Sequence, residues 1–140
     1  MTTTTPGSSA LPTGIQLRNS TDLVPPRGHY AHTATHAGVV YVSGQLPVTP
    51  QGVAIADAPF AVQARQTLDN LDNCLAAAGT SRDRLLAVTV YVSDMADWPE
   101  FDALYAEWIG AHRPSRAVAG VSSLHYGAAV EVQAVAAAGT

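Results

Sequence analysis

Arg113-Pro114-Ser115-Arg116-Ala117-Val118-Ala119-Gly120 is followed, after a short polar loop, by Ala128-Ala129-Val130-Glu131-Val132-Gln133-Ala134-Val135-Ala136. This stretch decides how the chain is read. It predicts two β-strands, the first opening on Arg116 and the second carrying Glu131 inside a mostly apolar run, residues 128–138. A lone carboxylate there is costly to bury unless it is hydrogen-bonded, paired or neutral. An antiparallel hairpin turning at residues 122–127 would place Arg116 and Glu131 directly opposite each other or one pair out of step. One guanidinium and one carboxylate in apolar surroundings could hold a small anion and a water.

Upstream, the pattern alternates strands and helices. Residues 15–18 predict a short edge strand, and Pro25-Pro26 marks residues 19–28 as loop. Residues 29–36 and 38–44 predict a hairpin around Ala37-Gly38, its second limb β-branched and aromatic (Val39-Val40-Tyr41-Val42-Ser43). Asp57 and Pro59 predict a helix start, with Asp57 as the cap. Phe60, Ala64, Leu68, Leu71, Leu75 and Ala78 then recur at three- and four-residue steps until Gly79. Residues 85–92 predict a further strand. Asp97 and Glu100 stand at capping-box spacing ahead of a second helix, whose stripe is Phe101, Leu104, Tyr105, Trp108 and Ile109 and which should end near His112. The order β-β-β-α-β-α-β-β predicts an α+β protein: one mixed sheet with two helices on a single face. Val130, Val132 and Ala134 alternate with Glu131, Gln133 and Val135, so both faces of the last strand are partly apolar. The face without helices is expected to pack on other subunits.

Composition narrows the function. The chain has 140 residues, enough for one domain with a real core. Residues 1–14 predict a flexible polar tail, and residues 15–140 a single domain. Net charge is −4, with seven arginines and no lysine. No basic run could track a phosphate backbone, so nucleic acid is an unfavoured partner. The lack of lysine excludes Schiff-base chemistry on a side-chain amine. The single cysteine, Cys74, forbids an internal disulfide and a cysteine-rich zinc site, and suits a reducing compartment. No signal peptide or membrane span is predicted, and the expected location is the cytoplasm.

The chain resembles the YjgF/RidA family of small trimeric proteins, from about Tyr30 to Ala136. The most specific match is Pro114-Ser-Arg-Ala, followed by Val130-Glu131-Val132 with Glu131 fifteen residues after Arg116. Ser43-Gly44-Gln45 with Pro47 soon after, the helix segment beginning Gln63-Ala-Arg-Gln, and Thr89-Val-Tyr-Val-Ser-Asp-Met also match. Tyr30 stands thirteen residues before Ser43, the spacing of the family's site tyrosine. The resemblance implies a chorismate-mutase-like fold, a homotrimer with a central barrel, and sites in the clefts between subunits. It implies hydrolysis of 2-imino and enamine acids to 2-keto acids and ammonia, with no metal or organic cofactor. Carried over by position, Arg116 would bind the substrate carboxylate and Glu131 would hold the attacking water. Tyr30, Ser43 and the Gly44 backbone would line the pocket. Asp102 stands where the family has asparagine, Val118 where it has a small or thiol residue, and the segment between Tyr105 and Arg116 is shorter. These departures bear on the substrate rather than the fold. A dedicated enzyme of specialised biosynthesis and a non-catalytic binder of small carboxylates are the alternative readings.

The residue types suit that chemistry. The planar fork of arginine takes both oxygens of a carboxylate, and a carboxylate within reach of water can act as a general base. Arg116 and Glu131 could equally form a structural cross-strand pair. His29, His32 and His36 raise a metal reading, but on one strand His32 and His36 would share a face with His29 opposed, and no thiol or carboxylate lies near. His125, in the loop between the final strands, could reach the site mouth but is read first as a solvated loop residue, and Cys74 is read as a small buried or half-buried one.

Overall fold

The computed structural model describes residues 14–139. The tail expected over residues 1–14 lies outside the described residues except for Gly14. The strands are β1 (Gln16–Arg18), β2 (Thr33–His36), β3 (Val39–Gln45), β4 (Leu85–Val92), β5 (Ser115–Gly120) and β6 (Val130–Ala137). The helices are α1 (Phe60–Ala77), between β3 and β4, and α2 (Trp98–Ile109), between β4 and β5. The predicted α+β order is therefore the observed one. The strands form a single sheet in the order β1-β2-β3-β6-β4-β5. It is mixed because β4 and β5 run parallel while the other neighbours are antiparallel.

Local chemistry explains most of these boundaries. Ala37 and Gly38 turn the β2–β3 hairpin with φ of 51° and 80°, the left-handed values that a two-residue turn needs to match strand twist. Gly79, at φ 77°, stops α1, and the Thr80 N–H donates back to the Leu75 carbonyl at 2.9 Å. The two expected caps are corrected. Pro59 takes the N-cap position of α1 with φ −55° and ψ 151°, and no side chain caps it. Proline holds the preceding residue out of helical geometry, so the helix begins after it and Asp57 lies too far upstream. A one-turn 3-10 helix, Met95–Asp97, precedes α2, and Asp94 accepts the Ala96 N–H at 2.9 Å. Asp97 is already turning, at φ −80° and ψ −9°, so it cannot form the capping box. Gly110, at φ 72°, ends α2 before the expected His112.

Both helices pack on one face of the sheet. Leu68, Leu71, Leu75 and Phe101 meet Val88, Val90, Val92, Val130 and Val132, all essentially buried. Asp72 of α1 ties the helices together, accepting the Trp108 indole N–H at 2.9 Å and pairing with Arg82 at 3.1 Å. The opposite face carries Val39, Tyr41, Thr89, Tyr91, Glu131, Gln133 and Val135 and is covered by no element among the described residues. Tyr41 is 52% exposed. Among the described residues no helix is long and apolar enough to cross a membrane. Leu71→Ala should empty the centre of the core and cost about 3 kcal/mol. A lower denaturation midpoint at unchanged m-value is the expected result.

Candidate functional site: two hollows on opposite faces of the sheet

The register of β4 separates the two residues that the sequence joined. Arg116 of β5 pairs in parallel with Val88, and Glu131 of β6 pairs antiparallel with Tyr91. β5 and β6 are thus not a hairpin, because β4 lies between them. Successive strand residues alternate faces: Arg116 follows Val88 to the helix side and Glu131 follows Tyr91 to the open side. The expectation that the pair sits directly opposite, or one step out, is corrected. The physical reason is the α2 crossover, which makes β4-α2-β5 a parallel unit. Residues 121–129 then carry the chain past the end of β4, where the Ser93 N–H donates to the Ala129 carbonyl at 3.2 Å.

Arg116 lies under α2. Its guanidinium carbon is 4.7 Å from the Trp98 ring centroid and 4.8 Å from that of Tyr105, within the range where a cation is attracted to an aromatic face. Its Nη1 donates to Asp102 Oδ1 at 2.9 Å. Residues 98, 102 and 105 are four and three apart, so one helix face presents all three to the edge strand. A 420 Å³ hollow opens here, lined by Asp102, Tyr105, His112, Arg113 and Arg116 among others. The Tyr105 hydroxyl is buried with no hydrogen-bond partner among the described residues, and burial pushes its pKa up while Arg116 pulls it down. Val118, two residues along the same strand face, packs against the core.

Glu131 lies in a second hollow of 390 Å³ on the open side, lined by Tyr30, Val42, Ser43, Gly44, Leu46, His125, Glu131 and Gln133. The β3–β6 register slips between Val42 and Gln45, so Ser43 and Gly44 together face Gln133 as a β-bulge. Gly44 leaves room for the Glu131 carboxylate: a Cβ there would meet Glu131 Oε2 and push that side chain aside. Ser43 is held by its neighbours: its hydroxyl donates to the Ala31 carbonyl at 2.7 Å and its N–H to the His32 carbonyl at 3.0 Å. The start of β6 is fixed by Gln63 of α1, whose Oε1 accepts the Ala129 N–H at 2.9 Å. Burial raises the Glu131 pKa, and the nearby His125 lowers it by less. Such a carboxylate is closer to a usable base than a solvated one.

The histidines divide. His32 precedes β2, is 4% exposed, and its Nδ1 accepts the Ser20 N–H at 3.0 Å. Burial lowers its pKa, so it is a neutral structural residue that braces the loop bearing Tyr30. His29 and His36 are exposed. Among the described residues no three potential metal ligands come together. His125 is exposed, as expected of a loop residue, and also lines the Glu131 hollow. Buried Cys74 has its thiol pushed up to about 12, which makes it a poor nucleophile. Trp98, Tyr105 and Gln133 were missed as site residues. The helical spacing of residues 98, 102 and 105 was the available signal.

Two helices on one face of a mixed sheet, with ionisable hollows beside it, define a two-layer α+β protein of the YjgF-like type. The YjgF gene product of E. coli has the same fold, with a TM-score of 0.81, 28% identity, and coverage of 87% of this chain and 98% of that one. The chain belongs to the YjgF/RidA family: the family described as Endoribonuclease L-PSP matches residues 21–138. Protein MMF1, mitochondrial, of Saccharomyces cerevisiae is 34% identical over 118 residues, covering 84% of this chain and 81% of that protein. E. coli TdcF, crystallised with bound serine, matches with a TM-score of 0.82 at 27% identity, covering 87% of this chain and 98% of that one.

Proposed function

We propose that this protein hydrolyses 2-imino and enamine acids to 2-keto acids and ammonia, in clefts where the Arg116 hollow of one protomer meets the Glu131 hollow of another. The observation that carries the reading is the pair of half-sites. A cation in an aromatic clamp and a desolvated carboxylate on a glycine bulge sit on opposite faces of one sheet, so a single copy cannot present both to one small molecule. A symmetric homotrimer would supply the missing half to each site and would cover the face that bears Tyr41 and Val135. A relative holding serine, a small amino acid with a carboxylate, supports a substrate of that size.

Arg116 would fix the substrate carboxylate through its fork, and the Gly44 backbone would border the reacting carbon. Glu131 would take a proton from water as its oxygen attacks the imine carbon. RNA cleavage, which the family description suggests, finds little support in a chain of net charge −4 without lysine. The single cysteine and the absence of a spanning helix among the described residues are compatible with a cytoplasmic setting. The decisive experiment generates imino acids in situ and measures keto acid and ammonia. Wild-type rates no higher than background would end the hydrolase reading and leave the fold intact.

One observation bears on how tightly the site holds a carboxylate. Asp102 already occupies Arg116 and is half exposed, so the pair is worth only about 0–1 kcal/mol. Asp102→Asn should lower KM for carboxylate substrates about two- to fivefold, by freeing the guanidinium and removing a repelling charge. A raised KM would mean that the aspartate grips the substrate itself, and an unchanged one that it does not compete for the guanidinium.

A further inference from the structure

The loop between β5 and β6 brings an imidazole to the Glu131 hollow. A one-turn 3-10 helix spans His125–Gly127, closed by the Gly127 N–H on the Leu124 carbonyl at 3.2 Å and the Ala128 N–H on the His125 carbonyl at 3.1 Å. Tyr126 sits at φ 64°, a value that side chains with a Cβ disfavour. Its ring is 6.1 Å from that of His125 and 5.9 Å from the Arg27 guanidinium carbon. Arg27 in turn donates to the Gly52 carbonyl at 2.5 Å. The turn, the ring and the cation hold the loop where His125 lines the same hollow as Glu131.

Adding water across a neutral imine moves two protons, one off the attacking water and one onto nitrogen. A carboxylate taking the first proton leaves the second to another group if the two move in the same step. An imidazole changes charge within the neutral range. We propose that His125 and Glu131 act as an acid–base pair across this hollow, an assignment that rests on the hydrolase reading above. In the first step the water oxygen bonds to the imine carbon. Glu131 takes the water proton while the imidazolium of His125 gives its proton to nitrogen. The product is a neutral carbinolamine. In the second step protonated Glu131 returns its proton to nitrogen and His125 takes the hydroxyl proton. The carbon–nitrogen bond breaks, the carbonyl forms, and ammonia leaves with both side chains restored. His125 shares the hollow with Tyr30 from the loop before β2 and Glu131 of β6, and lies beside Tyr126 of its own turn with Arg27 behind it. Among the described residues Glu131 is the only carboxylate lining the hollow. Their electrostatic coupling, which lowers the Glu131 pKa, agrees with the assignment.

The test uses the full chain and two readouts. His125 is exposed, so His125→Gln and His125→Ala should fold with unchanged melting temperature. Wild-type kcat should follow a bell-shaped pH profile. His125→Gln should fall about 100-fold at the optimum and lose the basic limb, and added imidazole should restore part of the His125→Ala rate. Unchanged rates and limbs would overturn the assignment while leaving the hydrolase intact. If wild type turns over no imino or enamine acid, the hydrolase reading fails and the pair is judged by NMR titration. Glu131 should then titrate at higher pH in His125→Gln than in wild type, and no movement would overturn the pair.

Discussion

Replacing Glu131 by glutamine is expected to lower kcat about 10²- to 10⁴-fold, the usual contribution of a positioned general base, while leaving the fold at least as stable at neutral pH. The second half of that expectation comes from linkage. Burial raises the folded-state pKa of Glu131 above its ordinary value, so the folded state binds the proton more tightly than the unfolded chain. The stability this contributes is complete below the ordinary carboxylate range and is lost as pH rises through the raised pKa. At neutral pH the ionised carboxylate therefore sits in the fold at a cost, and glutamine removes that cost. Lost turnover with an unchanged or higher melting temperature marks a group kept for chemistry. A loss of stability matching the loss of rate would make Glu131 a packing residue. The KM should change little, because the carboxylate anchor is elsewhere.

Arg116→Ala should reduce kcat/KM about 10- to 100-fold, from a charge-assisted contact of about 1.5–3 kcal/mol. Arg116→Lys should recover only part of this, because an ammonium keeps the charge but not the planar fork between Trp98 and Tyr105. The two variants also test where the site is assembled. Arg116→Ala and Glu131→Gln are each expected to keep no more than about a tenth of the wild-type kcat/KM alone. Mixed in equal amounts by unfolding and reassembly, they should regain activity at roughly one quarter of the sites, those that draw intact Glu131 from one copy and intact Arg116 from another. No recovery in a verified mixed oligomer would exclude a site shared between protomers.

The strands and helices were readable because each obeys a local rule. The Val-rich runs of β3, β4 and β6 alternate with a period of two. The Leu68–Leu71–Leu75 stripe follows the helical period, and Ala37-Gly38 and Gly79 punctuate where left-handed backbone is needed. The caps were misread because capping depends on the dihedrals of one residue, which a proline at position 59 and an extra turn at residues 95–97 altered. The hairpin between β5 and β6 was misread for a larger reason. Neighbours in sequence pair by default, and nothing local in residues 115–137 reports that β4 has taken the place between them.

The amino-acid sequence by itself determined the two-layer α+β design, the family, and the identity of the chemical groups, because periodicity, turn residues and spacing are local properties. Only the tertiary structure decided that Arg116 and Glu131 face opposite sides of the sheet, that Trp98 and Tyr105 clamp the one, and that His125 and Gly44 frame the other. The physical reason is that a side chain's face is set by the strand it pairs with, and β4 meets β5 and β6 only after α2 has carried the chain across the sheet.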